Sequence, residues 1–140
     1  MAVRLHISKD PTCQRDSEVH LMPCKIHGDE SAKVSSFFKP YMRKVDEEYY
    51  ECSFRGYPLQ GKKITVPAGY KGMIFMENKK TDTEGKNRNL YRTGTFSQFT
   101  YWNYDRIPSK NDALSAALDW IDIADAVSSS LTNLNLVNRH

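Results

Sequence analysis

The segment that decides the fold is residues 50–72, which read YECSFRGYPLQGKKITVPAGYKG. Its first residues alternate, so that Tyr50, Cys52 and Phe54 share one side, which is the period of a half-buried β-strand. The stretch 56–61 has glycine at both ends and a proline within it, a composition that interrupts strands. The segment therefore predicts two short strands joined by a break.

Turns on either side of the second strand are expected to shape this pair of strands. Gly56, Gly61 and Gly69 are predicted to supply backbone geometry that other residues disfavour. Pro67 opens a Pro-x-Gly-Tyr turn that ends the second strand. Only one arginine and one cysteine in the segment carry a group that catalysis could use. The segment thus indicates binding or structure instead of catalysis.

Further strands are predicted on both sides of this segment. Residues 18–26 are typical of a strand that lies at an edge or has a bulge at Pro23, because proline has no N–H to donate to a ladder. The pair Phe37–Phe38 is predicted to lie in a strand whose two faces are both covered, or one of whose faces meets a partner. The apolar run Met73–Met76 indicates a central strand, and residues 96–104 indicate a strand rich in aromatic side chains.

The last element is predicted to be a helix. Asn111-Asp112 is typical of an N-cap, and apolar side chains then recur at helical spacing. The serine run 128–130 is expected to end the helix. Strands followed by one terminal helix describe a mainly β, small barrel-like domain with a C-terminal helix.

Three segments are expected to flank or interrupt this domain. Residues 1–16 are interpreted as a flexible N-terminal arm, although alternating apolar side chains there also allow an edge strand. The β-barrel-type domain covers residues 17–128 and contains a polar loop at about 77–95. Residues 129–140 are interpreted as a C-terminal tail.

Composition indicates one ordinary domain. The chain has 140 residues, 39% hydrophobic and 26% charged, with a net charge of +3. This charge is modest for a dedicated nucleic-acid binder. An odd number of cysteines and no signal-peptide pattern favour a reducing compartment. The sequence has no apolar run of about 18 residues, so it predicts no membrane span.

Metal and nucleophile chemistry find little support in the sequence. His20, Cys24 and His27 lie close in the sequence, but His20 and Cys24 would be about 13 Å apart on an extended strand, too far for one zinc ion, and no fourth ligand is evident. Cys52 occupies a strand position that is expected to be buried, with no base marked beside it. We therefore expect no catalytic residue and no metal ligand in this chain.

Neither the carboxylates nor the glycines of the sequence form a pattern that predicts catalysis. Asp119, Asp122 and Asp125 recur on the predicted helix, where such a series usually forms a solvated face. A two-metal site would need carboxylates that converge from separate elements. No glycine-rich segment has the spacing of a phosphate loop.

Nucleic-acid binding is the main alternative from the residues themselves. A small β-barrel with exposed aromatic and basic side chains can stack bases and follow phosphates. The candidate side chains are Tyr49, Tyr57, Tyr101, Trp102, Tyr104, Lys62, Lys63, Lys79, Lys80, Arg88 and Arg106. Tyrosine, tryptophan and arginine are also enriched at protein interfaces, so an interface remains the alternative interpretation of the same residues.

Six motifs, in their order and spacing over residues 18–128, resemble the C subunit of the eukaryotic type 2 ribonuclease H complex. The motifs are His20-Leu21-Met22-Pro23-Cys24, Phe37-Phe38-Lys39-Pro40, Ser53-Phe54-Arg55-Gly56 with Leu59-Gln60-Gly61, Val66-Pro67-Ala68-Gly69-Tyr70-Lys71-Gly72, Phe96-Ser97-Gln98-Phe99-Thr100-Tyr101-Trp102, and Ala117-Leu118-Asp119-Trp120.

The resemblance implies a non-catalytic scaffold in a heterotrimer. The C subunit would interweave with the B subunit into a multi-barrel heterodimer that supports the catalytic subunit. The complex would cleave RNA in RNA–DNA hybrids and remove ribonucleotides misincorporated in DNA. This chain would bind no cofactor, the catalytic subunit would use magnesium, and the complex would work in the nucleus or also in the cytoplasm. It would meet the hybrid indirectly and would not involve a membrane.

The resemblance also suggests roles for particular residues. In the matched Phe-Arg-Gly motif, Phe54 would pack inward and Arg55 would fix the adjoining turn or a partner's backbone. The residues expected at the partner interface are Phe37, Phe38, Phe54, Arg55, Trp102, Ile107, Pro108, Leu118 and Trp120.

Overall fold

The computed structural model describes residues 2–8, 15–28, 30–77 and 87–137. Cys13 and about half of the predicted polar loop, residues 78–86, lie outside these residues. The regular structure is mainly β with a long C-terminal helix, as the sequence predicts. In chain order the elements are β1 (Ala2–His6), β2 (His20–Leu21), α1 (Val34–Phe37), a 3-10 turn (Lys39–Tyr41), β3 (Arg43–Lys44), β4 (Tyr49–Phe54), β5 (Tyr57–Thr65), β6 (Gly72–Glu77), β7 (Asn87–Phe96), β8 (Gln98–Tyr104) and α2 (Ala113–Val137).

A long antiparallel ribbon belongs to two sheets in succession. β5 pairs with β8 in a five-stranded sheet of order β2-β8-β5-β4-β3. β6 pairs with β7 in a three-stranded sheet of order β1-β7-β6. The ribbon changes sheet where the N–H of Val66 donates to the carbonyl oxygen of Ser97 at 2.9 Å. The two sheets therefore meet along one shared pair of strands.

The N-terminal segment follows the second strand of this ribbon across both sheets. β1 runs parallel to β7, and β2 runs parallel to β8. Between them, the N–H of Ser17 donates to the carbonyl oxygen of Thr95 at 2.7 Å. The sequence allowed either a flexible arm or an edge strand for residues 1–16. The structure has an edge strand at Ala2–His6.

The buried apolar cluster lies against the five-stranded sheet only. Its members in the described chain are Phe38, Cys52, Leu59 and Trp102, with Met22, Met42, Tyr50 and Phe54 packed around them. Tyr50, Cys52 and Phe54 all contribute to it, so the predicted alternation of β4 is confirmed. The three-stranded sheet contributes no side chain to this cluster.

The prediction that Phe37 and Phe38 lie in a strand is wrong. Phe37 ends the single helical turn α1, and Phe38 follows it. Phe37 is 72% exposed and Phe38 is 7% exposed, so the two rings do point in different directions. A helical turn separates successive side chains by about 100°, which lets one ring enter the core while its neighbour stays outside.

Two strand predictions change in extent or position. β2 is an edge strand as predicted, but it ends at Leu21, ahead of Pro23. β6 contains the apolar run Met73–Met76, yet it lies at the edge of its sheet instead of the centre. An apolar run on an edge strand needs a covering surface, and no described strand pairs with its outer side.

The polar loop and the end of the helix also differ from the predictions. β7 begins at Asn87, so strand structure occupies half of the segment that the sequence assigns to a loop. Its polar side chains are compatible with a strand because much of β7 faces solvent. α2 passes through the serine run and ends at Val137. Serine has ordinary helix propensity, and no glycine or proline follows it to stop the helix.

Neither sheet closes into a barrel among the described strands. β1 and β6 are the edges of one sheet, and β2 and β3 are the edges of the other. The described part of the chain has no helix that is long and apolar enough to cross a membrane.

Candidate partner interface

Trp102 is the centre of the core, and the glycine opposite it makes room for the indole. β8 pairs with β5 so that Trp102 lies opposite Gly61, and the side chain is fully buried. A Cβ atom at Gly61 would lie 2.6 Å from Cε3 of the indole, closer than carbon atoms pack. The prediction of a turn at Gly61 is wrong, because this residue is inside β5 and permits a close approach.

A chain of polar contacts holds Trp102 to the N-terminal segment. The Nε1–H of Trp102 donates to Nδ1 of His20 at 3.1 Å. Since an indole nitrogen only donates, the proton of the neutral His20 ring is on Nε2, which lies 3.0 Å from Oε1 of Glu18. Lys39 completes the chain with an ion pair to Glu18. The motifs around His20 and Lys39 therefore have a structural role.

The charge of Glu18 is favoured by the same contacts. The hydrogen bond from Lys39 is the largest cause that lowers the pKa of Glu18, and the contact with His20 acts in the same direction. Partial burial of the carboxyl opposes both, without reversing the shift. Glu18 is therefore ionised at neutral pH and links β2 to the 3-10 turn.

The hairpin between β4 and β5 has a two-residue turn. Phe54 pairs with Tyr57, and the two residues between them have positive φ angles, 50° at Arg55 and 79° at Gly56. Two positive φ angles define a type I′ turn, which suits glycine and asparagine. Arg55 is therefore in a backbone conformation that costs about 1–2 kcal/mol for a residue with a Cβ. Its guanidinium lies 5.5 Å from the centre of the Phe54 ring.

Replacing Arg55 by asparagine is expected to stabilise the free chain. Asparagine tolerates the left-handed region, so Arg55→Asn should raise the free energy of unfolding by about 0.5–1 kcal/mol. Urea unfolding followed by far-UV circular dichroism measures this change. Arg55→Ala is the matched control, because it removes the guanidinium and keeps the backbone strain. An asparagine variant that is less stable than the alanine variant would contradict the strain argument.

The turn at residues 67–70 has the predicted geometry. The N–H of Tyr70 donates to the carbonyl oxygen of Pro67 at 3.1 Å, and Gly69 has a φ angle of 85°. A positive φ at the third residue of a β-turn favours glycine. This turn lies at the junction of the two sheets and lets the chain pass from β5 to β6.

Asp112 sets the start of α2. Its carbonyl oxygen accepts the N–H of Ala116 at 3.0 Å, so Asp112 is the N-cap that the sequence predicts. Its carboxylate turns back and accepts the N–H of Ser109 at 2.9 Å, the amide of Asn103 at 2.8 Å and the guanidinium of Arg106 at 3.0 Å. The carboxylate thereby joins the end of β8 to the first turn of the helix.

Acid is expected to weaken this junction. The N–H of Ser109 and the amide of Asn103 are the main causes that hold the pKa of Asp112 below its usual range. The stabilisation is therefore present above the pKa of the unfolded chain, about 3.9, and is lost as the pH falls through the lower pKa of the folded chain. Asp112→Asn should lower the urea midpoint at pH 7, and the difference from wild type should shrink at pH 3.

The exposed carboxylate of Asp119 offers a matched control for this prediction. Asp119→Asn changes the same functional group on the same helix, but this side chain is exposed. Its effect on the urea midpoint should be small at pH 7. An Asp112→Asn variant whose deficit is equal at both pH values would show that the ionised form contributes nothing.

The three-stranded sheet has an apolar face that the described residues leave uncovered. Val3, Leu5 and Ile7 alternate along the N-terminal segment and are 52%, 56% and 51% exposed. Leu5 pairs with Leu90, so Leu90 of β7 lies on the same face, as does Phe75 of β6. A three-stranded sheet needs a covered apolar face for stability. We call this surface the open face.

α2 has a second uncovered apolar surface. Trp120, Ile123 and Val127 recur at helical spacing and are 67%, 51% and 54% exposed. Ala124 lies between them on the same side of the helix. Residues 113–137 contain no lysine or arginine, so the flanks of this surface are neutral or acidic. An amphipathic helix usually gains its stability by packing this face against another structure.

The predicted interface residues divide between core and surface. Phe38, Trp102 and Pro108 are buried, and Phe54 packs at the edge of the core, so these side chains support the fold of this chain. Leu118 is half-buried. The residues that remain available to a partner are Phe37, Arg55, Ile107 and Trp120.

Sequence reasoning missed the open face. Val3, Leu5 and Ile7 have the alternation of a half-buried strand, which is the signal that could have identified it. The covering surface is missing because no described segment of this chain packs there. Only the pairing of β1 with β7, more than eighty residues away, shows that the three side chains extend an apolar sheet.

The described residues contain no group of three histidine, cysteine or carboxylate side chains that could hold a metal ion. His20 is engaged with Trp102 and Glu18, and Cys24 is exposed on its own. Burial raises the pKa of the Cys52 thiol, which makes this cysteine a poor nucleophile. Asp119, Asp122 and Asp125 form an exposed series on one helix.

These features define an accessory β protein with two uncovered apolar surfaces. The family model described as "Ribonuclease H2 non-catalytic subunit (Ylr154p-like)" matches residues 18–127. The chain belongs to this family and is a non-catalytic subunit. It is similar to the C subunit of ribonuclease H2 from Bos taurus, with 30% identity over 89% of this chain and 88% of that protein. It is also similar to the C subunit of ribonuclease H2 from Mus musculus, with 29% identity over 79% of this chain and 80% of that protein.

Proposed function

We propose that this chain is the scaffold subunit of a heterotrimeric type 2 ribonuclease H. It pairs with the B subunit, and the pair supports the catalytic subunit. The complex cleaves RNA in RNA–DNA hybrids and removes ribonucleotides misincorporated in DNA, in the nucleus. The catalytic subunit supplies the magnesium site, since this chain belongs to a non-catalytic family.

The open face is the observation that carries this proposal. Val3, Leu5 and Ile7 on this face are about half exposed, and the three-stranded sheet contributes no side chain to the buried apolar cluster. The B subunit would cover this face and pair with the free edges of β1 and β6, which accounts for the unclosed sheets. α2 follows the C-terminal end of β8, whereas the junction with the three-stranded sheet is at the N-terminal end of β8. The apolar surface of α2 would therefore be available to a second protein, the catalytic subunit.

The alternative of an autonomous nucleic-acid-binding module finds less support. Four of the basic side chains that it would use are already engaged. Lys62 and Lys63 lie 5.7 Å from the rings of Tyr49 and Tyr50, respectively. Arg88 and Arg106 form ion pairs with Glu77 and Asp112. Phosphate binding requires free cations along a groove, so these contacts favour a protein interface.

Co-expression with candidate B and catalytic subunits tests the proposal. Size-exclusion chromatography should show a stoichiometric complex, and hybrid cleavage should require this chain. Hydrogen exchange adds a structural readout: β1, β6 and β7 should exchange fast in the free chain and slowly in the complex, while β5 and β8 should be protected in both. A stable monomer that ignores both partners and binds nucleic acid with strong salt dependence would support the alternative.

A further inference from the structure

The junction of the two sheets contains a cleft of about 780 Å³. Apolar side chains from three segments form part of its wall: Ile7, Met73 and Phe96. Two cations, Lys71 and Arg92, also line it. The volume of the cleft is typical of a ligand site. It differs from an isolated pocket because Ile7, which lies on the open face, also lines the cleft.

Arg92 has a hydrogen-bond donor that the described chain does not satisfy. One terminal nitrogen of its guanidinium donates to the carbonyl oxygen of Ser8. Its Nε is buried and has no acceptor among the described residues. A buried hydrogen-bond donor without a partner destabilises the fold. Because a guanidinium is always charged, an anionic acceptor would satisfy this donor best.

The carboxylate that lines the cleft in the described chain does not provide this acceptor. Asp16 accepts the hydroxyl of Ser97 instead of the guanidinium. Lys71 adds a second positive charge nearby. A carboxylate from outside the chain would therefore meet two cations, and a hydrogen bond to a charged group is stronger than one between neutral groups.

Arg92 belongs to the same side of the sheet as the open face. It lies two positions after Leu90 on β7, and it pairs with Phe75 of β6. Side chains two positions apart on a strand share a face. A protein segment that covers Leu5, Leu90 and Phe75 would therefore continue directly toward the guanidinium.

We propose that the cleft receives an extended segment of the other non-catalytic subunit, and that a carboxylate on this segment accepts the Nε–H of Arg92. This inference rests on the proposed function and adds a residue that specifies how the two chains align. An extended peptide fits better than a small anion, because it would also cover the apolar wall and pair with the free edge of β6.

The affinity of the full chain for the purified B subunit, measured by isothermal titration calorimetry, tests this inference. Arg92→Met keeps the length of the side chain and removes the donor. It should weaken binding by about 10- to 100-fold, because it leaves the partner's carboxylate buried and unpaired. Arg4→Met is the matched control: Arg4 is exposed on β1 and adjoins Leu5 in the chain, so its side chain lies on the face opposite the open face. It should change the affinity by less than about threefold.

A second variant covers the case in which Arg92→Met does not fold. Arg92→Lys keeps the charge and loses the planar donor, so it should give an intermediate loss. The urea midpoint of the free chain should not fall in either variant, since the core lies in the other sheet. Asp16→Asn tests whether the carboxylate that lines the cleft in this chain is the acceptor.

The outcomes separate the two proposals. If wild type does not bind the B subunit, the proposed function fails and this inference fails with it. If wild type binds and both Arg92 variants bind equally well, the inference alone is overturned. It is also overturned if Asp16→Asn reproduces the loss of affinity, or if the Arg92 variants change only the binding of RNA–DNA hybrid by the complex.

Discussion

Trp102→Ala is expected to destabilise the free chain by about 3–5 kcal/mol. The indole is fully buried at the centre of a cluster with only four buried apolar residues, so little else can fill its space. The substitution also removes the hydrogen bond to His20. Small domains have a free energy of unfolding of about 5–15 kcal/mol, so the variant should be at or near the limit of folding. Urea unfolding at low protein concentration, followed by far-UV circular dichroism, measures the loss.

Trp120→Ala is the matched control for this substitution. It removes the same side chain from a position that is 67% exposed, so the free energy of unfolding should change by less than about 0.5 kcal/mol. Its effect should appear in the complex instead, as weaker retention of the catalytic subunit. Equal losses of stability in the two variants would show that Trp120 packs in the free chain, which would contradict the exposed surface of α2.

Leu5→Asp is expected to abolish pairing, at micromolar concentration, with the B subunit. The aspartate would place an unpaired charge on the open face, where the partner must exclude water. An uncompensated charge in a buried interface costs about 3–5 kcal/mol, which corresponds to a loss of affinity of about 100-fold or more. Co-purification with a tagged B subunit, followed by calorimetry of any pair that forms, measures the effect.

Ala2→Asp is the control for the charge itself. Ala2 and Leu5 are an odd number of positions apart on β1, so their side chains lie on opposite faces of the sheet. Both substitutions change the net charge equally, but only Leu5→Asp alters the open face. Equal binding by the Leu5→Asp variant and wild type would rule out the open face as the interface with the B subunit.

Local patterns in the sequence predicted much of the secondary structure. The alternation of Tyr50, Cys52 and Phe54 identified β4 and the side of it that is buried. The Pro67 turn and the Asp112 cap were also predictable, because each depends on the conformational preference of a few neighbouring residues. The serine run at 128–130 misled the prediction of the helix end, since propensity is a weak constraint without a glycine or proline.

Residues that depend on distant contacts could not be assigned from the sequence. Both tryptophans were predicted at an interface, yet one is the core and the other is exposed. Their difference arises because Trp102 lies opposite Gly61 on a paired strand, whereas Trp120 lies on the exposed side of a helix. Met73–Met76 was predicted as a central strand because its apolar run requires covering, but β6 is an edge strand and no described strand covers its outer side.

The sequence by itself determined the alternation of β4, the turn at residues 67–70, the cap at Asp112 and the resemblance to the family, because each of these is carried by residue type and local spacing. Only the tertiary structure decided which apolar residues form the core, which remain on the open face, and that the Nε of Arg92 is buried without an acceptor among the described residues. These properties depend on the register between strands that are far apart in the chain. Such registers are selected by the packing of many side chains at once, and no local pattern encodes them.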